Sequence, residues 1–412
     1  MQALRALRHR NFSLFIGGQA FAIVGYWVQI IALQWFLYRT TGSSTLLGVM
    51  AFASNLPVLV FAPLVGLWAD RFNRHRLMLL SQWLEALHAI TLTAFAFLGW
   101  LTPTTIIALQ FALGIFIAIE LPVRHAYLTE LMNDRSDLPN AVAVMSLTMN
   151  CGRLIGPAAA GLLIGRIDEA WCFAIYASTY VFLLGSFAFI RPRHSVLAAD
   201  PPPALAGLRE GILYAWRHKP IRVLLGILAC VALVATPYGM LAPALVHERF
   251  GGGGETVGFL VSAAGFGALA GTLALTWRPA AARLPTAITL AAIAAGTALI
   301  GLSFARSLWF ALPLMSIVGF SILTVSVSVN MLVQALVDDD KRGRVMSLYT
   351  AAFVGVMPFG ALAAGATADA IGAGNTVLIG GIACAAAGAL LSTKLSLLTA
   401  RIGQSLPRTI RR

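Results

Sequence analysis

The sequence predicts an all-α membrane protein of twelve transmembrane helices in two six-helix halves, with both termini cytoplasmic. Three observations predict it. Of 412 residues, 59% are hydrophobic and 11% charged, against about 45–50% and about 25% in soluble domains. The apolar residues gather into runs long enough to cross a bilayer as helices, which takes about 20 residues, not into the shorter alternating runs of an outer-membrane barrel. The basic residues are also asymmetric. With the termini placed in the cytoplasm, 24 Lys and Arg fall on the termini and even-numbered loops and four on the other side, with Arg153 inside a span. Such a bias sets orientation.

These figures exclude a soluble enzyme, a disordered chain and a disulfide scaffold. The net charge of +13 is read as topology-holding loops, not as a nucleic-acid surface. The first span, 12–38, follows Arg5, Arg8 and Arg10 without a small-residue cleavage site. Further spans are read at 45–69, 77–99, 103–122, 139–164 and 170–190. A linker at 191–219 holds Pro192 and Pro201 to Pro203, then a helix-like stretch from Leu205 to Trp216. The second set runs at 220–247, 256–277, 284–305, 307–330, 343–368 and 372–399. The halves are therefore 1–190 and 220–412, the second ending in a short basic tail with Arg408, Arg411 and Arg412. Cys151, Cys172, Cys230 and Cys384 all fall in apolar runs without a CxxC pair, so neither disulfides nor a metal site is expected.

The halves resemble each other. At an offset of 201, Val144-Met145-Ser146-Leu147 recurs as Val345-Met346-Ser347-Leu348, Pro157 matches Pro358, Asp137 matches Asp338 and Gly66 matches Gly267. Several ungapped matches at half the chain length indicate duplication. A parallel repeat of two six-span halves is the architecture of major facilitator transporters.

Two motifs carry that resemblance. Gly66-Leu67-Trp68-Ala69-Asp70-Arg71-Phe72-Asn73-Arg74-His75-Arg76 resembles the major facilitator loop signature G-x-x-x-D-R-x-G-R-R. Asn73 stands for a glycine, which is mild because Asn tolerates positive φ. His75 stands for a basic residue. The resemblance implies a latch: Asp70 at the positive end of a neighbouring helix, with Arg71 beside it, and Arg74 paired with an acid of span 4, for which Glu120 is the candidate. Such contacts hold one state and break in the other. In span 5, Gly152, Gly156, Pro157 and Gly161 resemble the antiporter signature centred on G-x-x-x-G-P, with Ala143 and Ala160 at two of its other glycine positions. Small residues there permit close helix packing, and the signature implies export.

Further segments are similar to one branch of the superfamily. They are Leu7-Arg8-His9-Arg10-Asn11-Phe12 through Gly17-Gly18-Gln19, Leu121-Pro122-Val123-Arg124-His125-Ala126, Leu138-Pro139-Asn140-Ala141 and Arg342-Gly343-Arg344-Val345-Met346-Ser347-Leu348-Tyr349. That branch holds enterobactin (siderophore) exporters, with macrolide-efflux and nickel-resistance transporters as relatives.

Intramembrane polar residues are costly and usually functional. Arg153 is the candidate for an anionic substrate group or a cross-cavity pair. Gln19, Tyr26, Gln29 and Gln34 fall on one side of span 1, and Asn55, Gln110, Asn150 and Tyr238 are further cavity candidates. Glu85 and His88 lie on a polar stripe of span 3 with Ser81, Gln82 and Thr91. They are candidates for proton coupling, against a plain buried stripe bonded to a neighbouring helix. Gly251 to Gly254 lacks the Lys-Ser/Thr of a phosphate loop, and Asp338-Asp339-Asp340 beside Lys341 reads as solvated charge.

The expectation is thus a multi-pass inner-membrane exporter of a small amphipathic molecule. It works by alternating access and proton antiport, without cofactor, metal or nucleic acid, and as a monomer in the lipid bilayer. A nutrient importer of the same fold is the first alternative. A non-transporting membrane sensor or assembly protein is the second.

Overall fold

The computed structural model describes residues 2–69, 72–132, 134–191, 213–276, 284–338 and 341–393. These residues are helical throughout, joined by short turns. A 3₁₀ turn, Gln2–Arg8, leads into α1 (Arg10–Thr41), then α2 (Ser44–Ala69), α3 (Arg74–Phe97), α4 (Pro103–Leu131), α5 (Leu138–Ile164) and α6 (Glu169–Phe189). The chain resumes with α7 (Lys219–Val234), α8 (Tyr238–Phe250), α9 (Gly254–Thr276), α10 (Leu284–Phe304) and α11 (Leu308–Leu336). It closes with α12 (Arg342–Thr350), a π-helical turn (Ala351–Gly355), α13 (Met357–Ile371) and α14 (Ala373–Thr393).

Among the described residues, eleven helical segments are long and apolar enough to cross a membrane, with α7 and α8 forming one and α12 to α13 another. The helix outside that set is α3. Its 24 residues suffice in length, but Arg74, His75, Arg76, Gln82, Glu85 and His88 make it more polar.

Proline explains where the helices depart from the expected spans. The span expected at 220–247 is broken at Ala235–Pro237. Pro237 has no N–H to give and its ring crowds the preceding turn. A π turn just before Pro358 absorbs the same defect on the way to α13. Pro122 and Pro157, by contrast, sit inside unbroken helices. Beyond Pro122, Val123, Tyr127, Leu128 and Leu131 bury on one helical face. That burial carries α4 to Leu131, well past its expected end at 122.

The contacts group the chain into two compact units: 1–42 with 49–201 and 252–262, and 43–48 with 202–251 and 263–412. The start of α2, to residue 48, thus groups with the second set of helices, and the start of α9, to residue 262, with the first. The first unit has an aromatic core. Phe15 meets Tyr127 and Phe187 edge-on at 5.7 and 5.9 Å, and Tyr127 stacks on Phe187 at 6.2 Å. The second unit relies on small residues. In α10, a Cβ at Gly296 would strike the backbone of Gly381 and Ala385 in α14. Backbones approach this closely only where side chains are absent.

Candidate functional site

The loop between α2 and α3 is built from its caps and pairs. Asn73 closes the N-terminus of α3 by accepting from the Arg76 N–H at 3.0 Å. Arg74 reaches α4, where its Nη1 lies 3.5 Å from Glu130 Oε1. The expected partner, Glu120, is ten residues earlier on the same helix and pairs with Arg124, also at 3.5 Å. The correction follows from the length of α4. Ten residues span about 15 Å at 1.5 Å each, so Glu130, not Glu120, stands level with the start of α3. His75 adds a second tie through Nδ1 and the Tyr127 hydroxyl at 2.6 Å. Burial lowers the His75 pKa from its ordinary value and favours the neutral ring. Asp70 and Arg71 lie outside the described residues; Gly66 lies in α2.

The span 5 glycines are contact points. A Cβ on Gly152 would strike the Ile23 side chain, and one on Gly156 would strike Trp27, both on α1. Trp27 is thereby lodged against α5 and presents its ring to Arg153, whose guanidinium carbon lies 5.7 Å from the centroid. Farther along, Gly161 meets the first turns of α9: a Cβ there would lie 2.8 Å from the Glu255 oxygen and 3.1 Å from the Gly258 Cα. Pro157 sits inside α5, and its carbonyl is the nearest backbone group to Gly258.

A matching crossing occurs in the second unit. A Cβ on Gly48 of α2 would lie 2.7 Å from the Ala361 oxygen and 3.1 Å from the Leu362 Cα. Gly48 and Gly258 are both the fifth residue of their helices. This crossing has an added lock. Asp369 accepts from the Ser43 hydroxyl at 2.8 Å and from the N–H groups of Ser44 and Thr45 at 2.6 and 3.0 Å. A carboxylate thus caps the positive end of α2 from another helix. Sequence reading missed Asp369 and Gly258, because the partners are 325 and about a hundred residues apart.

A buried acid cluster occupies the first unit. Tyr180 of α6 donates to Glu85 Oε2 at 3.1 Å, and the Tyr176 and Tyr180 hydroxyls are 2.9 Å apart. Glu120 and Arg124 of α4 lie within electrostatic reach of Glu85, as does Tyr26 of α1. Glu85 Oε1 and both ring nitrogens of His88 are buried with no hydrogen-bond partner among the described residues.

The other cavity candidates are spread out. Gln19, Gln29, Gln34 and Gln110 are buried between helices, each with at least one amide atom unpaired. Asn55 and Asn150 give their amides to the Ala51 and Ser146 carbonyls one turn back. Tyr26 packs edge-on against Trp27 at 6.0 Å, and Tyr238 is buried at the start of α8. The structure joins Arg153 to span 1 through Trp27.

A family model described as transmembrane secretion effector matches residues 1–406. The multidrug efflux pump Tap of Mycolicibacterium fortuitum is 28% identical over 86% of this chain and 88% of its own. The staphyloferrin A transporter of Staphylococcus aureus is 25% identical over 89% and 92%. Macrolide efflux protein A of Streptococcus pyogenes is 24% identical over 90% and 92%. Among solved structures, the nucleoside transporter NupG aligns with a TM-score of 0.74 at 10% identity over 96% of this chain and 100% of its own. A bacterial homologue of the lysosomal transporter Spinster aligns at 0.70 and 15% identity over 96% and 98%. At these identities the solved structures speak for the fold.

Proposed function

The chain belongs to the transmembrane secretion effector family of major facilitator transporters, and from that premise we propose that it exports an amphipathic small molecule by proton antiport. It is a multi-pass membrane transporter of small molecules, not an enzyme. The protein crosses the inner membrane twelve times, with α3 as the twelfth span and both termini cytoplasmic. It works as a monomer by alternating access between two six-helix halves, 1–190 and 220–412.

The observation that carries export is the packing of the α5 signature: Gly152 and Gly156 seat α1, and Gly161 seats the first turns of α9. In the proposed orientation the Gly161 crossing lies at the outer end of the spans, as does the Gly48 crossing capped by Asp369. Both close the outer side in one state and part in the other. Arg74 with Glu130, together with Asp70 and Arg71, serves the inner side. Arg153, held over Trp27, faces an anionic or aromatic part of the substrate. The relatives named as a multidrug efflux pump, a macrolide efflux protein and a staphyloferrin A transporter support bulky amphipathic cargo.

Intact cells expressing the protein and preloaded with a cationic dye, a macrolide or a siderophore test the direction. Faster loss of one compound than from cells with Gly258→Val supports export. Net accumulation would favour the importer reading.

A further inference from the structure

We infer that Glu85 and Glu120, served by Arg124, form a site that holds one proton, on Glu85, and that this site is what couples transport to the proton gradient. The inference rests on the antiport reading and names the residues that carry it.

Both carboxylates are buried, with Glu85 at 7% and Glu120 at 6% exposure. The groups facing them are few. From α4 come Arg124, 3.5 Å from Glu120, and the exposed His125. From α6 come Tyr176 and Tyr180, and from α1 comes Tyr26. His88 is one turn along α3 from Glu85. Tyrosines are neutral at physiological pH, since their ordinary pKa is about 10. A charged His88 ring would be a buried cation without a partner, which is disfavoured. Among the described residues, one cation, Arg124, therefore faces two acids.

A second ionised carboxylate in such a place costs several kcal/mol of desolvation, so the group takes a proton instead. Glu120 has Arg124 one turn away as its counter-charge. Glu85 has only the Tyr180 hydroxyl, which donates to Oε2. Its Oε1 has no partner among the described residues, so the incoming proton bonds there: carboxylate plus proton gives carboxylic acid, and no other bond breaks. Tyr180 keeps its hydrogen bond and holds the acid in one orientation. Arg124 lies within reach of both carboxylates. It acts as a positioning residue that decides which acid is ionised.

Infrared spectroscopy of the full-length protein in liposomes at neutral pH reads the site directly, through the C=O stretch of a protonated carboxyl group. The wild type shows one such band. Glu85→Gln abolishes it, and Glu85→Asp keeps it at a shifted frequency. Glu120→Gln also abolishes it, because Arg124 is then left to Glu85 alone and Glu85 ionises. Arg124→Gln raises the intensity about twofold, and Arg124→Lys restores one band. A band that survives in Glu85→Gln or in Glu120→Gln overturns the inference, and neither result depends on Arg124→Gln folding. A protein that shows this pattern yet moves no protons with any substrate fails the antiport reading and not the proton site. Proton-coupled export without the band fails the site and not the antiport reading.

Discussion

The Tyr180 hydroxyl on α6 donates to Glu85 on α3 at 3.1 Å, deep inside the first unit. The bond joins helices whose residues are 95 positions apart. It also gives Glu85, the one acid of α3, a fixed orientation, backed by the Tyr176 hydroxyl 2.9 Å from that of Tyr180. A carboxyl group placed this way is held in position but poorly neutralised. Such an arrangement suits a group that must change its protonation and not its place.

The cap on α2 is the first point of test. Replacing Asp369 by Asn removes the charge that faces the Ser44 and Thr45 N–H groups. An exposed charge at a helix N-terminus contributes about 0.3–1 kcal/mol. The closed state of this crossing should lose roughly two- to fivefold in population. A cysteine at Thr45, labelled from outside by an impermeant maleimide, should react faster by that factor in Asp369→Asn. Unchanged labelling would remove Asp369 from the gate.

Gly258 has no room for a side chain. A Cβ there would lie 2.6 Å from the Gly161 Cα and 2.7 Å from its nitrogen. Gly258→Val should prevent the crossing from closing and should cost about 1–3 kcal/mol where it does close. The protein should insert in the membrane, melt at lower temperature in detergent, and export nothing. Normal export by Gly258→Val would refute the role of this crossing.

The pair Arg74–Glu130 can be separated from its neighbour by charge reversal. Arg74→Glu and Glu130→Arg should each impair export, and the double variant should recover part of it. The coupling expected for a partly buried pair is on the order of 1 kcal/mol, measured by a double-mutant cycle. Arg74→Glu with Glu120→Arg should recover nothing, because Glu120 pairs with Arg124.

His75 sets a pH dependence. Its folded pKa is lowered by burial. The folded chain therefore binds this proton less readily than the unfolded one, whose histidine pKa is about 6.5. The stability linked to His75 is complete above that value and is lost as pH falls below it. The melting temperature should drop between about pH 7 and pH 5.5, and His75→Asn should drop less. An equal drop in both would show that other groups set the acid limb.

The helices were legible because their signal is local. Runs of apolar residues and basic loops give most of the spans within a few residues, with α4 and α11 running on past their expected ends, and Gly152, Gly156 and Gly161 already mark helix contacts by their size. What escaped is what lies between helices. The partner of Arg74 was misplaced because the burial of Tyr127, Leu128 and Leu131 carries α4 past Pro122, which no spacing rule announces. Asp369 reads as an ordinary acid at a helix end until Ser44 is brought beneath it. The polar residues of span 1 share a face, yet Gln19 and Gln29 are buried against neighbouring helices. A shared face shows which side of a helix is polar, not what that side meets.

Proton flux in everted membrane vesicles, with an acid interior and with a siderophore, a macrolide or a cationic dye added in turn, tests proton-driven export most directly. The account predicts that one compound releases protons from the vesicles and enters them, and that Glu85→Gln abolishes the release. Substrate entry with no proton movement, or proton release undiminished in Glu85→Gln, would contradict it.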